Sequence, residues 1–230
     1  MGRHAGWIAA AGAMASTKEM DLPILILFPE IAFDKAKFLA RVDGMVKKYG
    51  YCTVVVSEGV KGADGKFLSD QGLRDAFGHA QLGGVAPVIA SIVKEGLNLK
   101  YHWGVADYLQ RAARHIASKT DVAQAYATGK AAVELAIKGR NSVMPAIKRV
   151  SDKPYRWKIE VAELKNVANK EKFMPRDFIT ADGFGITEKC RKYLAPLMLG
   201  EDYPPYKNGL PRYVRLKNVG VKKKLGEFKV

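Results

Sequence analysis

Two runs of apolar residues, separated by a stretch with helical periodicity, constrain this chain more tightly than any other feature. Leu22-Pro23-Ile24-Leu25-Ile26-Leu27-Phe28 is apolar without a break until Pro29, and Tyr51-Cys52-Thr53-Val54-Val55-Val56 repeats the pattern before Ser57, Glu58 and Gly59. Successive side chains of a strand point to opposite faces, so a strand with no polar alternation has no face to give to water and is covered on both sides. Between the runs, Asp34 caps a predicted helix to roughly Lys48, with Phe38, Leu39, Val42, Met45 and Val46 on one stripe and Gly50 at its end. Strand, helix and strand in that order predict a parallel sheet with crossover helices, an α/β fold.

The alternation continues downstream. Gly83-Gly84 opens a predicted helix from about Val85 to Glu95, and Lys100 to Val105 reads as a strand. Asp121 is expected to cap a long helix to about Lys138, whose apolar face is Val122, Ala125, Tyr126, Gly129, Ala132, Val133 and Leu135 to Ala136, before Gly139. Asn141 to Val150 is a further strand candidate. Val60 to Gly78 is polar and Gly-rich, with a turn at Gly62-Ala63-Asp64-Gly65, and reads as a surface excursion. From Ser151 the signals weaken into short strands, loops and one helix around Thr187 to Leu197, and Pro204-Pro205 and Pro211 mark an irregular end. The expected organisation is therefore an α/β domain over 1–150 with a C-terminal extension over 151–230 packing on it.

At 230 residues and 48% hydrophobic composition, the chain holds enough apolar material for a sizeable core, which excludes disorder as its global state. Two cysteines, Cys52 and Cys190, are too few for a disulfide framework and lack the spacing of a structural zinc site, so a reducing, cytoplasmic setting is expected. A net charge of +15 makes the surface attractive to anions. Residues 207–230 carry eight lysines and arginines against Glu227 alone, which reads as a solvated basic tail, with polyanion binding as the rival. No recognisable nucleic-acid-binding module accompanies the charge, so nucleic acid is not an expected partner. Ala5 to Ala15, after Arg3, imitates a secretory signal ending in Ala-Met-Ala, but His4, Gly6 and Gly12 dilute its apolar stretch and it reads better as the first turns of a helix beginning at a ligand. No run approaches the roughly 18 apolar residues of a membrane span, and no membrane association is expected.

Three features offer chemistry suited to a phosphorylated or hydroxyl-rich ligand. Met1-Gly2-Arg3-His4-Ala5-Gly6 combines free backbone N–H groups with an arginine at a helix start. Glu58 stands at the carboxyl end of a strand, where open α/β sheets bind ligands; its plainer reading is a cap or a surface charge. Tyr108-Leu109-Gln110-Arg111, with Arg114 and His115 following, brings guanidinium groups whose planar fork suits phosphate oxygens; its plainer reading is a solvated helix face.

These motifs, taken in order with Gln81-Leu82-Gly83-Gly84-Val85-Ala86-Pro87, closely resemble the carboxyl-terminal portion of the 6-phosphofructokinases. Asp107 to Asp121, Met174 to Ile179 and Glu201 to Tyr206 are most similar to the bacterial pyrophosphate-dependent branch. The resemblance implies a Rossmann-like sheet with flanking helices. It further implies a glycolytic transferase that moves a phosphoryl group from pyrophosphate to the 1-hydroxyl of fructose 6-phosphate with magnesium, in a homo-oligomer whose sugar site is completed across subunits. Position by position, Met1, Gly2 and Arg3 match the sugar-phosphate segment, with Arg3 also a candidate charge stabiliser. Glu58 matches the hydroxyl-binding acid, and Tyr108, Leu109, Gln110 and Arg111 the phosphate-binding segment. Gly78-His79-Ala80-Gln81-Leu82-Gly83-Gly84 imitates the same phosphate-binding string with Leu82 in place of an arginine; Tyr108 to Arg111 is preferred because its arginine is intact, which leaves His79 and His102 structural or peripheral.

The family's donor loop, magnesium segment and catalytic aspartate have no counterpart in this sequence. The expectation is that these 230 residues bind the sugar phosphate without catalysing transfer, and that the magnesium site lies outside them. A non-catalytic sugar-phosphate-binding regulatory subunit, or an inactive fragment, is the alternative.

Overall fold

The computed structural model describes residues 3–74, 80–82 and 84–220, together with 222, 224 and 226. The two apolar runs form β1, Ile24–Leu27, and β2, Thr53–Val56, paired in parallel with Ile24 opposite Thr53 and Leu27 opposite Val56. Ahead of them lies α1, Trp7–Gly12, continued by a 3-10 turn over Ala13–Ala15. Helix α2, Lys35–Tyr49, crosses between the strands; Asp34 Oδ1 accepts from the Lys37 N–H at 3.0 Å, and Gly50 closes the helix at φ 81°, in the left-handed region open to glycine.

Alternate residues of β1 enter different cores, which is the physical content of a strand with no polar face. Ile26 and Phe28 pack with Ala9, Ala10 and Ala13 of the first helical turns and with Met174, Phe178, Ile179, Ile186, Cys190 and Leu194. Leu25 and Leu27 pack on the opposite side with Phe38, Val42, Val60, Val85 and Ile89. Complete burial of each such side chain contributes about 1.5–3 kcal/mol, so these two cores dominate the stability of the chain.

Downstream, β3, Asp70–Arg74, pairs antiparallel with β4, Ala80–Leu82, and α3, Val85–Leu97, packs on α2. A one-turn helix α4, Leu109–Ala112, precedes α5, Lys119–Ile137. Strands β5, Val143–Asp152, and β6, Tyr155–Glu163, form a long antiparallel hairpin that lies on α5. The extension holds α6, Glu188–Leu194, and a short ladder of β7, Tyr206–Lys207, with β8, Leu210–Pro211.

Four local expectations are corrected. Residues 100–105 form no strand: Tyr101, Trp103 and Val105 are exposed, and an extended run without a neighbouring strand has nothing to bond to. Helix α5 is capped by Ser118, whose Oγ accepts from the Asp121 N–H at 3.1 Å, so Asp121 sits inside the first turn, where its charge suits the helix dipole. The weak signals after Ser151 conceal the nine residues of β6, whose alternating polar positions face water. The apolar face assigned to α5 is largely turned outward, with Tyr126 and Val133 exposed, because no described element covers it.

Candidate functional site

The ladder between β1 and β2 fixes where Glu58 emerges. Ser57 N–H donates to Leu27 O at 3.1 Å, one step beyond the last strand residue, and the chain then turns through Glu58 and Gly59 at the carboxyl end of the sheet. Glu58 is half-buried there. Ser57 Oγ donates to the carbonyl oxygen of Arg3 at 3.4 Å. A Cβ placed on Gly59, which is buried, would fall on that same Arg3 carbonyl, well inside contact distance, so the approach of the two backbones requires glycine. Arg3 and Glu58, 55 positions apart, are thereby brought to one loop-on-loop contact. Met1 and Gly2 lie outside the described residues.

The residues that follow Arg3 are held both by the extension and by the first domain. His4 pairs with Glu171 and stacks on Phe67 at 5.3 Å between ring centres, and Trp7 Nε1–H donates to Lys172 O at 2.7 Å. Glu30 does the most: one carboxylate oxygen accepts from both the Gly6 N–H at 3.0 Å and the Met174 N–H at 2.9 Å. The other oxygen is buried without a described hydrogen-bond partner. A Cβ on Gly6 would meet Phe28 at 2.8 Å and Glu30 at 2.9 Å, so this glycine too is set by close packing. Sequence reasoning missed Glu30. It stands at the carboxyl end of β1 as Glu58 stands at that of β2, and the positional rule that singled out Glu58 would have found it.

The other predicted segment begins just ahead of α4 and runs into it. Tyr108 is the residue before α4 and is 68% exposed, and Leu109 in the helix is 62% exposed. Gln110 and Arg111 belong to α4 by their backbone, but their side chains lie outside the described residues. The segment is anchored from behind: Arg114 Nη2 meets Asp202 Oδ1 at 2.5 Å, with a further bond to the Asp202 carbonyl. His102 is exposed; His79, with Gly78 and Gly83 of the competing string, lies outside the described residues. Among the described residues no group of three or more His, Cys, Asp or Glu side chains is gathered to hold a metal ion. The assembled parts, a guanidinium-bearing segment and a half-buried carboxylate at a sheet's carboxyl end, suit a ligand with both anionic and hydroxyl groups.

The family model described as Phosphofructokinase matches residues 1–136. A pyrophosphate–fructose 6-phosphate 1-phosphotransferase of Halomonas elongata is 65% identical over 230 residues, covering 100% of this chain and 55% of the relative. The protein of the same name from Methylococcus capsulatus is 67% identical over 225 residues, covering 98% of this chain and 54% of the relative. The crystal structure of a pyrophosphate-dependent phosphofructokinase from Nitrosospira multiformis superposes with a TM-score of 0.85 at 69% identity, over 100% of this chain and 54% of that one. The chain spans about half the length of the curated relatives it matches.

Proposed function

Because the chain belongs to the phosphofructokinase family, we propose that it carries the fructose 6-phosphate-binding half of a transferase that moves a phosphoryl group from pyrophosphate to the sugar's 1-hydroxyl, giving fructose 1,6-bisphosphate. The observation that carries this reading is the contact of Arg3 with Gly59, which brings the arginine segment and Glu58 to one end of the sheet. The names of the most similar relatives support the choice of substrate and of pyrophosphate as donor.

In this proposal Glu58 accepts hydrogen bonds from sugar hydroxyls, and Tyr108 to Arg111 hold the 6-phosphate with the Arg111 guanidinium as the principal charge. Met1, Gly2 and Arg3 close the site, and Arg3 stabilises charge that develops on the transferred group. Phosphoryl transfer depends on positioning and charge stabilisation more than on covalent help from the protein, so a half that grips and orients the acceptor is a coherent unit. Magnesium, which would neutralise donor phosphate charge when bound, has no assembled ligand set among the described residues, and no step is assigned through it. Residues 1–150 serve as the sugar-phosphate domain and 151–230 as an extension packed on it. Met174, Phe178 and Leu194 in the β1 core and the Glu30 hydrogen bond to the Met174 N–H support the packing of the extension on that domain. A cytoplasmic homo-oligomer is part of the same proposal.

The test is calorimetric titration of the purified chain with fructose 6-phosphate, beside turnover assays with magnesium and either pyrophosphate or ATP. Binding without turnover is the expected result. Arg111→Ala is expected to remove most of the affinity with the circular-dichroism spectrum unchanged; full affinity in that variant overturns the role given to the segment.

A further inference from the structure

Each of the two segments assigned to the sugar phosphate is followed by a side chain that meets a carboxylate of the extension. His4, next to Arg3, pairs with Glu171. Arg114, three positions beyond Arg111, brings Nη2 to 2.5 Å from Asp202 Oδ1 and donates through Nη1 to the Asp202 carbonyl. A guanidinium whose fork is filled by a carboxylate and a carbonyl is anchored rather than offered to a ligand.

At the first segment the pairing reaches the contact that joins Arg3 to Glu58. A Cβ on Gly59 would lie 3.2 Å from the His4 Cα, beside the Arg3 carbonyl, so whatever fixes His4 fixes the backbone at that contact. The His4 ring is fixed on two sides, by the Glu171 carboxylate and by stacking on Phe67, whose ring also carries the Lys61 ammonium at 4.8 Å. At the second segment the chain is pinned just past α4. That helix is a single turn, closed by Ala112 N–H to Tyr108 O at 3.0 Å and Ala113 N–H to Leu109 O at 2.9 Å. One turn does not persist on its own hydrogen bonds, so its place depends on the anchor that follows it.

Stability does not account for these pairs. The four side chains keep 32–45% of their surface in water, and ion pairs so exposed contribute little to folding. A small energy is nevertheless enough to change affinity when it holds a binding segment, because ligand affinity falls with the fraction of molecules whose site is in place. We propose that Glu171 and Asp202 are positioning residues: acting through His4 and Arg114, they hold the Arg3 segment and the Tyr108 to Arg111 segment in the geometry that receives the sugar phosphate. The extension is thereby a working part of the site, although neither carboxylate touches the ligand. This rests on the sugar-phosphate reading given above.

The test compares the 230-residue chain with Glu171→Ala, Glu171→Gln, Asp202→Ala and Asp202→Asn by calorimetric titration with fructose 6-phosphate, melting temperature, and amide hydrogen exchange without ligand. Each alanine variant is expected to weaken affinity about three- to tenfold while the melting temperature falls by less than about 2 °C. Glu171→Gln and Asp202→Asn keep the accepting oxygen and are expected to recover most of the lost affinity. Exchange is expected to quicken about threefold or more over 6–12 in Glu171→Ala and over 109–113 in Asp202→Ala, each variant sparing the other segment. Unchanged affinity in either alanine variant overturns the role of that residue, and so does a loss that its amide variant fails to recover. Exchange that quickens throughout the chain, with a matching fall in melting temperature, overturns the proposal by reducing the carboxylates to general stabilisers. If the unaltered chain does not bind fructose 6-phosphate, the sugar-phosphate reading fails separately; the exchange pattern then decides alone, and unchanged exchange over both segments overturns the positioning roles.

Discussion

Helices α2 and α5 each carry apolar side chains at helical spacing, segregated to one face far more sharply in α2 than in α5, and the two helices have opposite fates. Helix α2 turns Phe38 and Val42 into a core closed by Leu25 and Leu27 of β1, with Leu39, Met45 and Val46 packed at its margin. Helix α5, four residues longer, has Gln124 as its buried residue and leaves Tyr126, Val133 and Ile137 in water. The difference teaches that a hydrophobic stripe specifies which face is available for burial, whereas burial itself needs a second surface within reach. For α2 that surface is the sheet of residues 24–56; for α5 the described chain offers the β5–β6 hairpin and the turn at Ala195–Met198, which leave the Tyr126, Val133 and Ile137 side uncovered.

The contrast predicts a graded series of effects. Phe28→Ala in the β1 core is expected to cost about 3–5 kcal/mol, read as a large fall in the urea midpoint, since it removes a fully buried ring next to α1 and the extension. Glu30→Ala should cost about 1–3 kcal/mol, because it strips the acceptor from the Gly6 and Met174 N–H groups, and Glu30→Gln, which keeps an amide oxygen, should restore much of that loss. Gly59→Ala should cost about 1–3 kcal/mol by overpacking. It should also abolish fructose 6-phosphate binding by pushing Arg3 away, so retained binding would break the link drawn between Arg3 and Glu58. Ile137→Ser on the outer face of α5 should change stability by less than about 0.5 kcal/mol in the isolated chain; a larger loss would show that α5 is covered after all.

The smallest effect concerns Cys52, beside Met45 at the edge of the α2 core. Burial pushes its thiol up to about 11 from an ordinary value of 9.0, despite the opposing charge of Arg41. The folded state resists ionisation that the unfolded chain permits, so any stabilisation from this group is present below pH 9 and is lost as pH rises toward 11. Alkylation at pH 8 should accordingly be far slower for the native chain than for the urea-unfolded one. Equal rates would place the thiol in water and weaken the picture of a closed α2 core.

Much of the first region was legible because its determinants are local. Continuous apolar runs, the Asp34 cap and Gly50 gave β1, α2 and β2 within a residue or two, and the strand-end rule picked out Glu58. The motif Met174 to Ile179 was legible as a resemblance, while its physical task was not: it brings the Met174 N–H to Glu30 and the Phe178 ring against Trp7. Such contacts join residues more than 140 positions apart and leave no periodic trace. The missed strand β6 and the strand wrongly expected at 100–105 share one cause, since a strand exists by virtue of its neighbour.

By itself, then, the amino-acid order determined the elements whose faces and ends are written in side-chain periodicity and capping, together with the residue types suited to an anionic, hydroxyl-bearing ligand. Tertiary structure alone decided that Arg3 rests on Gly59, that Glu30 holds the start of α1 to the extension, and that α5 turns its stripe to water. Backbone preference and hydrophobic patterning act over a few residues, whereas close approach and burial depend on what the rest of the chain brings into contact.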